Sequence, residues 1–189
     1  VMGKIVAALR RMGFDEIYDT ALGADLTVIE ETKEFLARLE ENRDLPLLTS
    51  CCPGWVQYCE KKHPEFLKNV STCRSPMQMM ASILKDQSAK SSRKMFHVAI
   101  MPCTGKKFEA AREEFAQDGI PNVDAVLTTQ ELIRMLKESG IMFSELEPEA
   151  IDMPFGMVSG AGVIFGVTGG VTEAVLRRVV SNKSRSELL

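Results

Sequence analysis

Five cysteines occur in 189 residues, and two of them, Cys51 and Cys52, stand side by side in the stretch LTSCCPGWVQYC. A third, Cys103, sits in MPCTGKKFE. Both sites close a short apolar run, LPLLTS for the pair and KMFHVAI for Cys103, and both precede a helical pattern. In open α/β sheets ligands gather at such strand ends, where helix N-termini point at them. A thiol so placed has its thiolate favoured, which is the state needed for ligating iron or moving a proton. Adjacent side chains of an extended segment point to opposite sides, so Cys51 and Cys52 are not expected to bind one metal ion. Two different jobs are implied. Free cysteine is also among the most buried residue types, and spacing alone leaves packing and chemistry both open for Cys51, Cys52 and Cys103. Cys59 and Cys73 read as packing residues. No Cys-x-x-Cys pair is present, which argues against a zinc ribbon and against thioredoxin-like chemistry.

Other candidates are weaker by residue type. Glu31 and Glu34 are neighbours on one helix surface with Arg38 a turn beyond, a spacing that describes an ordinary solvated face, although Glu31 borders the apolar stripe. Lys106, three residues after Cys103, reads by type alone as a solvated lysine, as does Lys107. The glycines of SGAGVIFGVTGGV, residues 159–171, lack the G-x-G-x-x-G spacing. Nucleotide binding is rejected there, and close backbone approach is the physical reason left for them. Met77, Met79 and Met80 read as core or pocket lining.

Alternating strands and helices would position these groups. Residues 1–12 carry an amphipathic pattern capped by Gly13, and a short strand is expected after it. Asp25 to about Asn42 reads as a helix with Val28, Thr32, Phe35 and Leu39 on one stripe. LPLLTS, 94–101 and DAVLTT read as strands. Pro53 and Pro76 occupy first helical positions, KKFEAAREEFA is a helix, and Thr128 with Glu131 forms a capping box. The expected class is α/β, with mostly parallel sheets flanked by helices, because parallel strands need crossover helices. Polar residues 86–94, DQSAKSSRK, read as a connector between two lobes, about 1–88 and 94–189. A net charge of −3 without blocks of one sign argues against nucleic-acid partners. No apolar run approaches the roughly 20 residues of a membrane span, and the odd, irregular cysteine set suits a reducing compartment, so a cytoplasmic protein is expected.

TSCCPGW at 49–55, MPCTGKKFE at 101–109 and SGAGVIFGVTGGV at 159–171 closely resemble the catalytic domain of the [FeFe]-hydrogenases, the iron-only hydrogenase large subunit. The likeness runs in register through GADLTVIEE, VSTCRSP and VLTTQEL, so it covers nearly the whole chain. It implies a [4Fe-4S] cube joined to a two-iron unit carrying carbon monoxide, cyanide and a bridging dithiolate amine, a cofactor that holds most of the chemistry. By position, Cys52 and Cys103 match cube ligands, and Cys51 matches the thiol that exchanges a proton with the bridging amine. Lys106 matches the lysine that hydrogen-bonds a cyanide. Met101, Pro102, Phe165 and Gly166 match the lining of the same pocket. Glu31, Ser71 and Glu34 match successive stations of the proton path to Cys51, with Arg38 near its outer mouth.

The resemblance also implies an oxidoreductase interconverting protons and H2 with a ferredoxin or an NAD(P)-linked partner. Two departures stand out. The family's remaining two cube ligands sit in a later motif, resembling MACxGGC, which this sequence does not contain, so the chain reads as an internal fragment that is inactive alone. Thr172 stands where the family commonly has methionine. Related iron-sulfur assembly factors, which as a rule lack the doubled cysteine and the Thr-Gly-Lys context, are the alternative, together with an H2-sensing domain.

Overall fold

The computed structural model describes residues 1–91, 94–153, 156 and 159–182. Eight helices are described: α1 (Met2–Arg11), α2 (Ala21–Glu41), α3 (Pro53–Lys62), α4 (Pro76–Lys90), α5 (Gly105–Ala110), α6 (Thr129–Glu138), α7 (Gly160–Ile164) and α8 (Gly170–Asn182). Four short strands accompany them: β1 (Val98–Met101), β2 (Ala116–Gln117), β3 (Ile120–Pro121) and β4 (Ala125–Thr128).

The α/β class holds. β1 and β4 pair in parallel, Val98 opposite Ala125 through Met101 opposite Thr128, while β2 and β3 form a small antiparallel pair. Alternation along β1 feeds both faces of the parallel pair. Ile100 packs on a cluster of Ala7, Ala8 and Leu9 of α1 with Leu132, Leu136 and Leu146. Ala99 and Met101 pack on the other side with Met77 and Ala81 of α4 and with Val123 and Val126. A parallel pair covered on both faces is what helical crossovers produce.

The ends of the elements follow local chemistry. Asn42 terminates α2 in the left-handed region at φ 48°. Ser75 caps α4 by accepting from the Gln78 N–H at 3.4 Å, with Pro76 at the first helical position. Thr128 and Glu131 form the expected reciprocal capping box on α6.

Four local expectations need correction. The strand after Gly13 does not form among the described residues; Ile17 instead exchanges hydrogen bonds with Asp152, whose carboxylate accepts from the Ile17 N–H at 2.8 Å and whose N–H donates to the Ile17 carbonyl at 2.9 Å. LPLLTS makes a single parallel bridge, Leu48 to Val70, rather than a strand. The polar connector begins inside a helix, because residues 86–90 form the end of α4, exposed except for the buried Ser88; Ser92 and Arg93 lie outside the described residues. The helix after Cys103 stops at Ala110, where Arg112 turns outward in extended conformation and its guanidinium forks onto Glu60 at 2.5 and 3.1 Å.

Candidate functional site

Segment 48–52 reaches its position through backbone pairing with segment 69–73. The Leu48 N–H donates to the Asn69 carbonyl at 2.8 Å, the Ser71 N–H to the Leu48 carbonyl at 2.7 Å, and Ser50 Oγ to the Cys73 carbonyl at 2.6 Å. Cys52 then caps α3 in extended conformation (φ −98°, ψ 107°), with Pro53 fixing the first helical turn. As the alternation of an extended segment requires, the two thiols part: Cys51 is half-buried and Cys52 is exposed.

Cys103 arrives from the other side of the site, two residues beyond β1, and is also exposed. A glycine contact joins the two arrivals. A Cβ on Gly105 would stand 3.2 Å from Pro53 Cγ, 3.7 Å from Cys103 Sγ and 3.9 Å from the Gly54 nitrogen, and a Cβ on Gly54 would stand 3.9 Å from Cys52 Sγ. Both exposed sulfurs therefore border one seam, where the starts of α3 and α5 touch, and the missing glycine side chain permits that approach. Among the described residues no group of three or more His, Cys, Asp or Glu side chains gathers as a metal site. The seam thus offers two free thiols of the type iron-sulfur clusters take, half of the four that hold a cube. The helix-field argument applies to Cys52 as the cap of α3; α5 is a single short helix of six residues capped by Thr104, so Cys103 lacks that feature.

Behind the seam lies a buried polar line. Glu31 is 1% exposed, and among the described residues its Oε2 has no hydrogen-bond partner. Burial pushes its carboxyl up to about 7, with Ser71 pulling it down and the Glu34 charge pushing further up. Glu34, three residues on, behaves oppositely. Burial acts upward on it too, but is outweighed by Ser71 Oγ donating at 2.8 Å, the Thr72 N–H at 3.0 Å and Arg38 Nη2 at 2.6 Å, which together hold its carboxyl below the usual range. Two carboxyls in one helix turn are thus split into a proton holder and an anion. The Cys51 thiol is pushed up to about 11 by burial and by Glu31, with Lys106 pulling down, so it stays protonated rather than sharing the thiolate character expected for strand-end cysteines.

The solvated-face reading of α2 fails. Arg38 is 3% exposed and donates to the carbonyls of Asp44, Lys68, Asn69 and Val70 as well as to Glu34. It is a staple between α2 and segment 68–70, not a residue at a solvent mouth. The packing reading of Cys73 also needs enlarging: its thiol donates to Glu34 Oε2 at 3.6 Å and its N–H to Ser71 Oγ at 3.1 Å.

Lys106 is not a solvated lysine. Its side chain is 11% exposed, and Nζ donates to the Cys51 carbonyl at 2.9 Å and to Glu109 Oε2 at 2.5 Å. Glu109, 4% exposed, accepts from Ser75 Oγ through its other oxygen. Sequence reasoning missed Glu109; the only signal was its position one turn after Lys106. Of the pocket-lining candidates, Met101 is buried at the end of β1 and Pro102 is exposed. Phe165 is half-buried and Gly166 exposed in the turn between α7 and α8, both of which pack on α2. Close backbone approach does explain a glycine here, since a Cβ on Gly162 would stand 2.5 Å from the Ala21 carbonyl oxygen.

Two exposed sulfurs border one seam, with a protonated, half-buried thiol and a buried carboxyl close by. The sequence profile of the iron only hydrogenase large subunit, C-terminal domain, matches residues 1–188. Iron hydrogenase 1 of Clostridium pasteurianum is 46% identical over 192 residues, covering 100% of this chain and 33% of that protein. The cytosolic iron-sulfur assembly component 3 of Rattus norvegicus is 39% identical over 188 residues, covering 92% of this chain and 40% of that protein. A variant of the apo [FeFe]-hydrogenase HydA1 from Chlamydomonas reinhardtii superposes with a TM-score of 0.81 at 46% identity, covering 93% of this chain and 46% of that one. The chain thus spans between a third and a half of these relatives, and the match along its whole length makes it a member of the iron-only hydrogenase large-subunit family, C-terminal domain.

Proposed function

We propose that this chain forms the proton-delivery side and half of the cluster cradle of a hydrogenase that interconverts two protons and two electrons with H2. The observation that supports it is the convergence of Cys52 and Cys103 on the Gly54–Gly105 seam with the half-buried Cys51 between that seam and Glu31. The residues present fit an iron-sulfur cube in ligand type and position, with Cys52 and Cys103 holding it and two further thiolates contributed from outside this chain. When bound, the cube and its attached two-iron unit with carbon monoxide, cyanide and dithiolate amine ligands supply electron transfer and H–H bond making or breaking.

The chain's own residues manage protons. Cys51 holds a proton on Sγ, and Glu31 resupplies it from behind, its carboxyl lying close to neutral pH where it can both take and give. Ser71 and Glu34 continue the path outward, Ser71 Oγ being the hydroxyl already donated to Glu34. Lys106 orients an anionic ligand of the centre, and Met101, Pro102, Phe165 and Gly166 exclude water around it. Electrons come from a ferredoxin or an NAD(P)-linked partner, and the protein works in the cytoplasm; among the described residues no helix is long and apolar enough to cross a membrane. The same reading divides the domain into lobes at about 1–88 and 94–189, interlocked because α1 packs on α6 and α7 with α8 on α2.

Hydrogen evolution by the full-length protein, loaded with a synthetic two-iron complex and driven by a reduced viologen, tests the reading. Cys51→Ala is expected to abolish turnover while the cluster's visible absorption persists; undiminished turnover would refute Cys51 as the proton carrier. A second reading as an assembly factor is favoured by the relative of that name at 92% coverage of this chain. It predicts a bound cluster and no H2 from the native protein, whereas a sensory domain predicts very slow turnover.

A further inference from the structure

The Lys106–Glu109 pair is buried on both sides, with side-chain exposures of 11% and 6%. Taking two charges out of water at this depth costs several kcal/mol per ion before their attraction is counted, so such a pair is weak as a stability device and needs another reason. An ammonium has three N–H groups. Among the described residues two are used, on the Cys51 carbonyl and on Glu109 Oε2. The first ties Lys106 to the residue beside the cluster thiol Cys52. The second is backed by Ser75, whose hydroxyl donates to the remaining Glu109 oxygen while it also caps α4 by accepting from the Gln78 N–H. Glu109 is thereby fixed from α4 on one oxygen and grips Lys106 with the other.

From this geometry we infer that Glu109, anchored by Ser75, is a positioning residue that holds the Lys106 ammonium beside Cys51 and keeps its third N–H available to an anionic ligand at the Cys52–Cys103 seam. The inference rests on the hydrogenase reading only for the identity of that anion, a cyanide of the two-iron unit. A hydroxyl at residue 75 and a carboxylate at residue 109 are both required. Removing the carboxylate leaves a buried cation without its counter-ion, which favours a swing of the side chain toward water. Second-layer partners of this kind typically change ligand retention or activity 10- to 100-fold.

The test uses the full-length protein carrying its cube, before and after loading with the two-iron complex, in native form and as Glu109→Gln, Ser75→Ala and Ser75→Thr. Before loading, acylation of Lys106 at pH 7.5, followed by mass spectrometry, is expected to be about tenfold faster in Glu109→Gln than in the native protein. After loading, the infrared cyanide bands of Glu109→Gln are expected to move while the carbonyl bands stay close to native, with about tenfold weaker retention of the two-iron complex. Ser75→Ala shifts the same readouts in the same direction by less, and Ser75→Thr restores them. Unchanged acylation and unchanged cyanide bands in Glu109→Gln overturn the inference, as does a stability loss in Glu109→Gln with neither readout moved. If the native protein makes no H2 and retains no two-iron complex but Glu109→Gln still accelerates Lys106 acylation, the hydrogenase reading falls and the positioning role stands.

Discussion

Glu31 and Glu34 carry the same functional group three residues apart on one helix, and their surroundings send them in opposite directions. Glu31 faces Ser71, the charge of Glu34 and the thiols of Cys51 and Cys73, whereas Glu34 accepts from three further donors, Arg38, the Thr72 N–H and the Cys73 thiol. The linkage sign for Glu31 follows from its folded-state value of about 7 against 4.5 unperturbed: the folded chain binds more protons than the unfolded one in that window. Its contribution is most favourable below pH 4.5 and is lost as pH rises to about 7, a loss of about 3 kcal/mol at about 1.4 kcal/mol per unit. Glu34 works the other way, stabilising above its unfolded value and losing that contribution as acid protonates it. Glu31→Gln is therefore expected to be more stable than the native protein at pH 8 and nearly equal to it at pH 4.5, while slowing proton delivery to Cys51. Urea unfolding at both pH values measures this. Parallel pH profiles for the two proteins would show that Glu31 is solvated and ionised in the fold.

At the level of elements, α2 buries a line that its apolar pattern does not announce. The stripe Val28, Thr32, Phe35 and Leu39 is where hydrophobic spacing puts the core, yet Leu39 is 41% exposed while Thr27, Glu31 and Arg38 are at most 3% exposed. The reason is segment 68–73, which lies along the polar flank of α2 and presents backbone carbonyls for Arg38 and donors for Glu34. Burial of that flank becomes tolerable because almost every polar group finds a partner. Nothing in residues 21–41 encodes that neighbour, since it comes from 30 or more positions away. Local grammar, in contrast, was legible wherever the partner is near in sequence: the capping box on α6 and Pro53 and Pro76 at first helical positions form as the residues dictate. Where the partner is remote the reading failed, as with Ile17, whose hydrogen bonds go to Asp152 rather than to a strand. The same contrast divides the site. Cys52 and Cys103 stand out in the sequence by residue type and by the helical patterns that follow them, whereas the burial of Lys106 on Glu109 depends on Ser75 of another helix. Arg38→Met tests the staple. It strips one partner from each of four carbonyls and from Glu34, and is expected to destabilise the protein by about 3–5 kcal/mol. Arg38→Lys, a point charge without the planar fork, recovers only part of that. Thermal denaturation with amide exchange at Leu48 and Ser71 reads both effects, and a native-like melting curve for Arg38→Met would remove the staple from the account.

Across the whole molecule, the surfaces are uneven in a way that complements the shared length with larger relatives. α7 and α8 pack on α2, and they and the turn between them leave Val163, Val167, Leu176 and Val180 exposed at 67%, 59%, 48% and 53%. Along the same side of α8 stand Gly169, Thr172, Glu173, Leu176, Arg177 and Val180. Thr172, Leu176 and Val180 succeed one another at four-residue spacing and so form one stripe, which places the departure from the family's methionine on this outer face rather than at the thiol seam. Single exposed aliphatic residues need no explanation, but four on two neighbouring helices and the turn between them make a patch of the kind that associates. The 189-residue chain, which covers 33% of the Clostridium pasteurianum relative, is therefore expected to self-associate through α7 and α8 when prepared alone. Because the driving force is apolar, the association should strengthen with sulfate and respond weakly to sodium chloride. Leu176→Glu combined with Val180→Glu places two like charges on the stripe, and should convert the chain to monomer while leaving the helical circular dichroism signal in place. Sedimentation velocity across a hundredfold concentration range would decide it: a native chain that stays monomeric throughout would mean the exposed face is too small or too divided by Glu173 and Arg177 to act as a contact.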